Sequence, residues 1–380
     1  MSSDWPSGLE RRFAETLREL LSRGSWLSGW KIAPVSTPRS RTWDILASGP
    51  LPGRRTGLLC VECKTENFQP SQFVAIANRT CTAERRTIAR RVLAMPRISA
   101  RMAELCEQYE WGWFDLTGNC RVEIPGVFLV ERSGSLSAIA VGRHRQNRIT
   151  RRVNLGTRES ARVIRALLAP ENAGRRWRQR ELLSEYGNTP LNIPPPSLGL
   201  VNKVIRYLTT QAVITQEGKS GFQVSDYEGV LRLWREHYRF DCHVRKPYFT
   251  LLKDRELHTR LLSLDPTGQG KLAYASFSAA DWQVPTVRQP RTWVYLDINA
   301  EDDFRATAEA KPVDSGENIV VLIPEDRGVF YRLEKSERHA ACTNALQTYI
   351  DLIHSGGRGQ EAADAILDHR LKPAWSASLP

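Results

Sequence analysis

The chain has 380 residues, enough for two or three domains with cores of their own, and its 54 Lys and Arg against 42 Asp and Glu leave a formal net charge of +12. No apolar run approaches the ~18 residues that a bilayer-spanning helix needs. The first residues carry no basic-then-apolar signal, so a cytoplasmic protein with no membrane role is expected. Seven cysteines, at 60, 63, 81, 106, 120, 242 and 342, have no zinc-type spacing and are expected to be reduced thiols. Neither a Gly-x-x-x-x-Gly-Lys-Ser/Thr loop nor a Gly-x-Gly-x-x-Gly loop is present, so nothing points to an ATP motor or a nicotinamide enzyme. The Cys242-His243 pair has no third ligand near it in sequence, which argues against a zinc site.

In chain order, Leu9, Phe13, Leu17, Leu20 and Leu21 recur at helical spacing, with Glu10, Glu15 and Glu19 expected to face elsewhere. Trp30–Val35 reads as a strand. Asp44-Ile45-Leu46 and Leu58–Lys64 read as two adjacent strands joined by the turn-forming Gly49-Pro50-Leu51-Pro52-Gly53. A basic helix is predicted over 83–91, a strand over Val92–Met95, a helix over Ser99–Tyr109, and strands at Trp113–Leu116 and Arg121–Ile124. That order predicts an α/β domain built on a mixed sheet. Glu62 and Lys64, two apart on one strand, point to one face beside Asp44. Two carboxylates there suit Mg²⁺, which takes one or two carboxylates and keeps its waters; an adjacent ammonium would neutralise developing charge. The Glu-x-Lys spacing also occurs at Glu217-Lys219, a turn, and at Glu309-Lys311, in an Ala-rich helical stretch.

This element order and the three residues together resemble the PD-(D/E)xK restriction-endonuclease-like fold, including its Mrr and Holliday-junction-resolvase types. The resemblance implies that Asp44, Glu62 and Lys64 are catalytic, that Asp44 and Glu62 hold Mg²⁺ or Mn²⁺, and that Glu15 supplies the helix acid some members add. Trp43 stands where such proteins usually have a proline. Many members of this superfamily keep the shape without the chemistry.

The middle of the chain is strongly basic. Arg143, Arg145, Arg148, Arg151, Arg152, Arg158, Arg162, Arg165, Arg175, Arg176, Arg178 and Arg180 are opposed only by Glu159 and Glu171, a density that calls for phosphates. Helices are predicted around 161–168 and 177–186. A third follows Ser197, a good N-cap, with Val201, Val204, Ile205 and Leu208 inward. The segment 212–224 then reads as a two-stranded wing. Three helices and a wing resemble a winged helix-turn-helix, which implies DNA contacts from Ser197, Gly199, Asn202, Lys203 and Arg206, with Arg175, Arg176 and Arg178 on phosphates. The stretch 187–196 between the second and third helices is much longer than the usual turn of about 3–4 residues.

Beyond residue 229 an α+β domain is predicted, with a helix at Val230–Tyr238, strands at Thr292–Leu296 and Ile319–Ile323, and a closing pair of segments, Leu346–Leu352 and Gly356–Ala363. Gln347-Thr348-Tyr349-Ile350-Asp351-Leu352 and Gly357-Arg358-Gly359-Gln360-Glu361-Ala362-Ala363 resemble the end of AbiEi-type antitoxin regulators. Trp113–Cys120 is similar to a segment of proteins that join a nuclease-like domain to such a tail.

The expected organisation is a nuclease-like domain over 1–135, a basic linker over 136–157, a winged helix-turn-helix over 158–228 and an AbiEi-like domain over 229–380. Two functions follow. One is a transcriptional regulator that binds double-stranded DNA, with a cognate toxin or a second copy of itself as protein partner. The other is a Mg²⁺-dependent endonuclease that the winged helix targets, in defence against foreign DNA.

Overall fold

Successive side chains of a strand point to opposite faces, and the near-continuous buried runs in β3 and β4 make the first part of the molecule a sheet covered on both. The computed structural model describes residues 8–22, 29–35, 43–52, 54–81, 87–124, 126–132, 153–187, 193–216, 221–287, 289–335 and 339–377. The chain falls into two compact units, Met1–Arg148 with Thr210–Ala212, and Ile149–Thr209 with Val213–Pro380. Among the described residues no helix is long and apolar enough to cross a membrane. Arg143, Arg145, Arg148, Arg151 and Arg152 lie outside the described residues, as do Glu217 and Lys219.

The first unit runs α1 (Gly8–Ser22), β1 (Lys31–Pro34), β2 (Ile45–Leu51), β3 (Arg55–Cys63), α2 (Pro70–Ile76), β4 (Thr87–Met95), α3 (Ala100–Gln108), β5 (Gly112–Asp115), β6 (Cys120–Ile124) and β7 (Phe128–Arg132). Its seven strands lie side by side in sequence order. The pairs β3–β4 and β4–β5 are parallel, with α2 and α3 as their crossovers; the other pairs are antiparallel. Ile45, Ala47, Leu59, Val61, Val92, Ala94 and Phe114 pack on one face with Phe13, Ala14, Leu17, Leu20 and Leu21 of α1. Their neighbours Cys60, Leu93, Met95 and Trp113 pack on the other with Phe73 of α2 and Met102 and Leu105 of α3. The mixed α/β sheet expected from the sequence is present.

One expected element is wrong. Residues 87–95 form the long strand β4, where a basic helix was predicted over 83–91. Arg85 and Arg86 lie outside the described residues, while Arg91 serves the sheet. Arg91 donates to the carbonyls of Ala77 at 2.7 Å, Arg79 at 3.1 Å and Tyr109 at 2.8 Å, and lies 5.5 Å from the Trp111 ring centre. The Trp113–Cys120 stretch has a structural job. Buried Asp115 accepts hydrogen bonds from the backbone N–H of Ile98, Thr117 and Asn119 and from the side chains of Thr117 and Asn119, which fixes the β5–β6 turn.

The second unit runs α4 (Arg158–Leu168), α5 (Gln179–Gly187), α6 (Leu198–Thr210), β8 (Ile214–Gln216), β9 (Phe222–Val224), α7 (Tyr227–Arg235), β10 (Val244–Phe249), α8 (Asp254–Leu264), β11 (Leu272–Tyr274), α9 (Ser276–Gln283), β12 (Thr292–Leu296), α10 (Glu301–Thr307), β13 (Lys311–Pro312), β14 (Ile319–Ile323), α11 (Ala345–His354), α12 (Gly359–Ile366) and α13 (Lys372–Ser376). Lys311 therefore sits on a short strand, not in the helical stretch expected around it. The strands β8 and β9 form a hairpin, and the other five make a sheet in the order β11-β12-β14-β10-β13, with β12 and β14 parallel. Alternation again assigns the faces. Trp293, Tyr295, Val320 and Leu322 join a core shared with α4, α6, α7 and α11, whereas Val294, Leu296, Ile319, Val321 and Ile323 pack with Leu257 and Leu261 of α8 and Phe304 of α10.

Inside this shared core two arginines of the basic run are buried. Arg162 and Arg165 are 8% and 3% exposed, so they cannot meet phosphates as the charge run suggested. Arg162 donates to both carboxylate oxygens of Asp326, at 3.1 and 3.2 Å from Nε, and to the Pro194 carbonyl at 2.7 Å. The unusually long α5–α6 connection is thereby tied down, with Ile193 buried beside it. At the chain end, the Trp375 indole donates to the Leu168 carbonyl at 3.0 Å and its ring stacks on Tyr227 at 5.4 Å. The helices α11 and α12 meet closely at Gly359, where a Cβ would come within 2.2 Å of the Leu352 carbonyl oxygen.

Removing one partner of a buried ion pair strands the other charge, at a typical cost of about 3–5 kcal/mol. Asp326→Ala is therefore expected to lower the stability of the full chain by about that amount in urea unfolding, through Arg162. A change below about 1 kcal/mol, the scale of an exposed pair, would contradict this placement.

Candidate nucleic-acid interface and the acidic pair of the first sheet

Apolar side chains on one side of α6 fix what the other side presents. Val201, Val204, Ile205 and Leu208 are buried, while Ser197, Gly199, Asn202, Lys203 and Arg206 are exposed. Ser197 caps the helix as the sequence indicated, its hydroxyl accepting from the Leu200 N–H at 3.3 Å. Asn202 accepts from Gln179 of α5 at 3.3 Å, so the exposed face of α6 continues onto the start of α5. Arg175, Arg176 and Arg178, just ahead of α5, are exposed. Arg175 pairs with Glu185 at 3.2 Å and lies 3.9 Å from the Trp177 ring centre, which fixes its direction. Trp177 itself precedes the helix that was expected to begin with it. Its N–H and carbonyl pair with Phe222 of β9 at 2.8 and 2.9 Å, adding a third strand position to the hairpin. Gln179 was missed in the sequence because a lone glutamine carries no pattern; its place in the first turn of α5 was the available cue.

The acidic pair of the first unit forms at one end of β2 and β3. Asp44 immediately precedes β2, its N–H bonded to the Val61 carbonyl at 2.9 Å and its carboxylate accepting from the Cys63 N–H at 2.8 Å. Glu62, on the next strand, is only 4% exposed. One of its oxygens accepts from the Lys64 ammonium and from Arg79 at 3.1 Å. The Lys64 backbone is pinned to the Ala94 carbonyl at 2.8 Å, and its ammonium lies 5.5 Å from the Phe68 ring centre. Asp44, Glu62 and Lys64 thus come together around Cys63. Burial pushes the Cys63 thiol up, reinforced by Asp44, Glu10 and Glu62 and opposed by Lys64.

Glu15 is elsewhere, in an exposed pair with Arg11 at 3.0 Å. The acid of α1 that acts on Cys63 is Glu10, which was expected to face away. Its spacing was the available signal: Glu10 stands three, four and seven residues before Phe13, Ala14 and Leu17, on the inward stripe. Arg79 left no trace in the sequence either, because it reaches Glu62 from a loop. Two carboxylates are the number Mg²⁺ takes, so the donor chemistry fits in kind. Lys64 and Arg79 already compensate Glu62. Among the described residues no group of three or more His, Cys, Asp or Glu side chains is arranged to hold a metal ion.

The motif at 347–352 is an internal polar knot. Gln347 and Asp351, both fully buried, stand one turn apart on α11. Gln347 accepts from Arg165 at 2.7 Å and donates to Asp351 at 2.8 Å. Asp351 also accepts from Tyr238 at 2.5 Å and from Tyr295 at 3.0 Å. His243 lies 3.2 Å from the Tyr238 hydroxyl and joins this network, while half-buried Cys242 beside it donates to the Arg239 carbonyl at 2.8 Å.

Residues 223–372 match a family model described as a transcriptional regulator, AbiEi antitoxin, of type IV toxin–antitoxin systems. The matched segment begins in β9 and ends at α13, and it contains Tyr238, Tyr295, Gln347 and Asp351 of the polar knot but not Arg165. No curated protein and no solved structure matches the chain.

Burial pushes Asp351 up to about 7, against the hydrogen bonds from Tyr238, Tyr295 and Gln347 that pull it down. Its folded value exceeds the unfolded one, so its contribution to stability is fully present below about pH 4 and is lost as pH rises through about 7. His243, pushed down to about 4 chiefly by burial and then by Arg165, works the other way and loses its contribution as pH falls through that value. Asp351→Asn isolates the first effect. The stability of the parent relative to this variant should fall as pH rises from about 4 to about 7; a pH-independent difference in thermal melts would refute the assignment.

Proposed function

We propose that this protein is a DNA-binding transcriptional regulator of the antitoxin type, and that α4–α6 with the β8–β9 hairpin act as its winged helix-turn-helix. The observation that carries this reading is the two-sided character of α6. Its inner face is fully apolar, and its outer face offers Asn202, Lys203 and Arg206 next to Gln179 and close in sequence to no acidic residue. Trp177 on the hairpin supports the same reading, because it supplies a short strand between the first and second helices. In a major groove, Asn202 would read adenine, Lys203 and Arg206 guanine or phosphate, and the Ser197 end of the helix a phosphate oxygen. Arg176 and Arg178 would track the backbone, with Arg175 held more tightly by Glu185. The family match over 223–372 supports regulation and a cognate toxin as protein partner. The nuclease-like sheet would then serve as an accessory element.

A second reading has a specific observation behind it. Asp44, Glu62 and Lys64 meet around one backbone position, the arrangement a PD-(D/E)xK endonuclease uses. In that reading Asp44 and Glu62 would hold Mg²⁺, which would supply an activated water and neutralise phosphate charge. The chain's own residues would do the rest: Lys64 would face the scissile phosphate, and Glu62 would have to be released from Arg79. The internal compensation of Glu62 by two cations favours the regulator.

Gel-shift titrations against DNA selected from a random pool test the proposal. Lys203→Ala and Arg206→Ala should each weaken specific binding by about 1–3 kcal/mol if they reach bases. Arg176→Ala with Arg178→Ala should weaken all sequences alike and reduce the slope of log affinity against log salt by about 2. Binding unaffected by all four substitutions would rule out α6 as the reading helix.

A further inference from the structure

The exposed face of α6 is not wholly polar. Leu198, its first residue, is 44% exposed, while Leu200 two positions on packs against the core. We propose that Leu198 is a specificity-determining residue that takes the C5-methyl group of a thymine in the major groove, an inference that rests on α6 being the reading helix. Leu198, Asn202 and Arg206 stand four residues apart, so they form one stripe along the helix. All three are exposed. With Asn202 on an adenine edge, the side chain one turn before it lies over the neighbouring bases. One turn rises about 5.4 Å, which spans one to two base steps of about 3.4 Å. The thymine therefore stands within about two base pairs of the adenine.

The surroundings decide the kind of partner. From Leu198 to Thr210 the helix carries no acidic residue, and Lys203 and Arg206 stand on the same exposed side as the leucine. Arg176 and Arg178 are exposed ahead of α5, whose Gln179 bonds Asn202. An apolar spot with this cationic border is complementary to a surface with methyl groups at its centre and anions at its rim. The major groove is such a surface, because thymine presents a methyl group there and phosphates line both edges. A Cβ on Gly199 would meet nothing within 4 Å, so the space beside Leu198 is open.

Leu198 is also held in place from both sides. The Pro194 carbonyl accepts from Arg162 at 2.7 Å, Ile193 and Pro196 are buried, and the Ser197 hydroxyl accepts from the Leu200 N–H at 3.3 Å. A backbone fixed in this way leaves only the leucine side chain to be ordered on binding, which keeps the entropic cost of the contact small. The gain is that of removing one methyl group from water, about four-fold in affinity.

The test uses the full chain and the duplex it enriches from a random pool. Each thymine of that duplex is replaced in turn by deoxyuridine, which removes the methyl group and leaves base pairing unchanged. The expected result is a loss of about four-fold at one position, close to the adenine whose preference Asn202→Ala relaxes. Leu198→Ser should bind the thymine duplex about four-fold more weakly, and should bind thymine and deoxyuridine alike at that position. It should also melt at the temperature of the parent, since the side chain it removes is outside the core. Lys203→Ala should bind more weakly yet still distinguish the two bases, which separates a lost methyl contact from a general loss of affinity. Equal binding of the parent to every deoxyuridine duplex, or discrimination that survives Leu198→Ser, would overturn this inference and leave the DNA reading standing. A parent that enriches no sequence would remove both.

Discussion

Two buried arginines, Arg162 and Arg165, hold the second unit together, and most of what the protein presents depends on them. Both lie on α4 and both point into the core, where a bare guanidinium would be prohibitive to desolvate. Asp326 takes the first, and the Gln347 amide takes the second and passes the bonding on to Asp351, Tyr238 and Tyr295. Since Arg162 also grips the Pro194 carbonyl, the segment leading into α6 is anchored to the same knot. The segment leading into α6 is therefore tied to distant parts of the chain, since Asp326 lies 164 positions beyond Arg162 and Gln347 lies 182 beyond Arg165. A helix that reads DNA needs that rigidity, because base contacts tolerate little misplacement.

The same knot gives the family match physical meaning. Gln347 and Asp351 are internal, so in this chain the motif at 347–352 specifies how the tail packs; it presents no contact surface of its own. In the first unit the acidic pair is similarly turned inward. Lys64 and Arg79 satisfy Glu62, and the Cys63 N–H satisfies one oxygen of Asp44. Ground-state charge compensation of this kind preserves a shape while opposing the uptake of a cation.

What was legible in the sequence followed the periodicities. The apolar stripe of α1, the strands around 45–63 and 112–124 and the inward row of α6 each repeat at the spacing of their element, and each stands where that spacing put it. Arginine was misread twice for one reason. At 90–91 a basic stretch was expected to be a helix and at 162–165 a run of cations was expected to meet phosphates, yet Arg91, Arg162 and Arg165 bind carbonyls, a carboxylate and an amide from distant segments. Composition cannot reveal such partners, because they lie 12 to 182 residues away. The displaced helix acid was a different failure. Glu10 sits on the apolar stripe, and a charge on that stripe was the one local sign that α1 brings an acid to the sheet.

The regulator reading stands or falls on whether the protein finds a particular DNA sequence and leaves it intact. The most direct measurement is selection from a random DNA pool in Mg²⁺, followed by footprinting and strand analysis of the enriched sequence. This account predicts an enriched site, protected over the major groove that α6 enters, with both strands uncut and protection lost in Asn202→Ala with Arg206→Ala. Cleavage of the enriched DNA that disappears in Asp44→Ala, or no enrichment of any sequence, would contradict it.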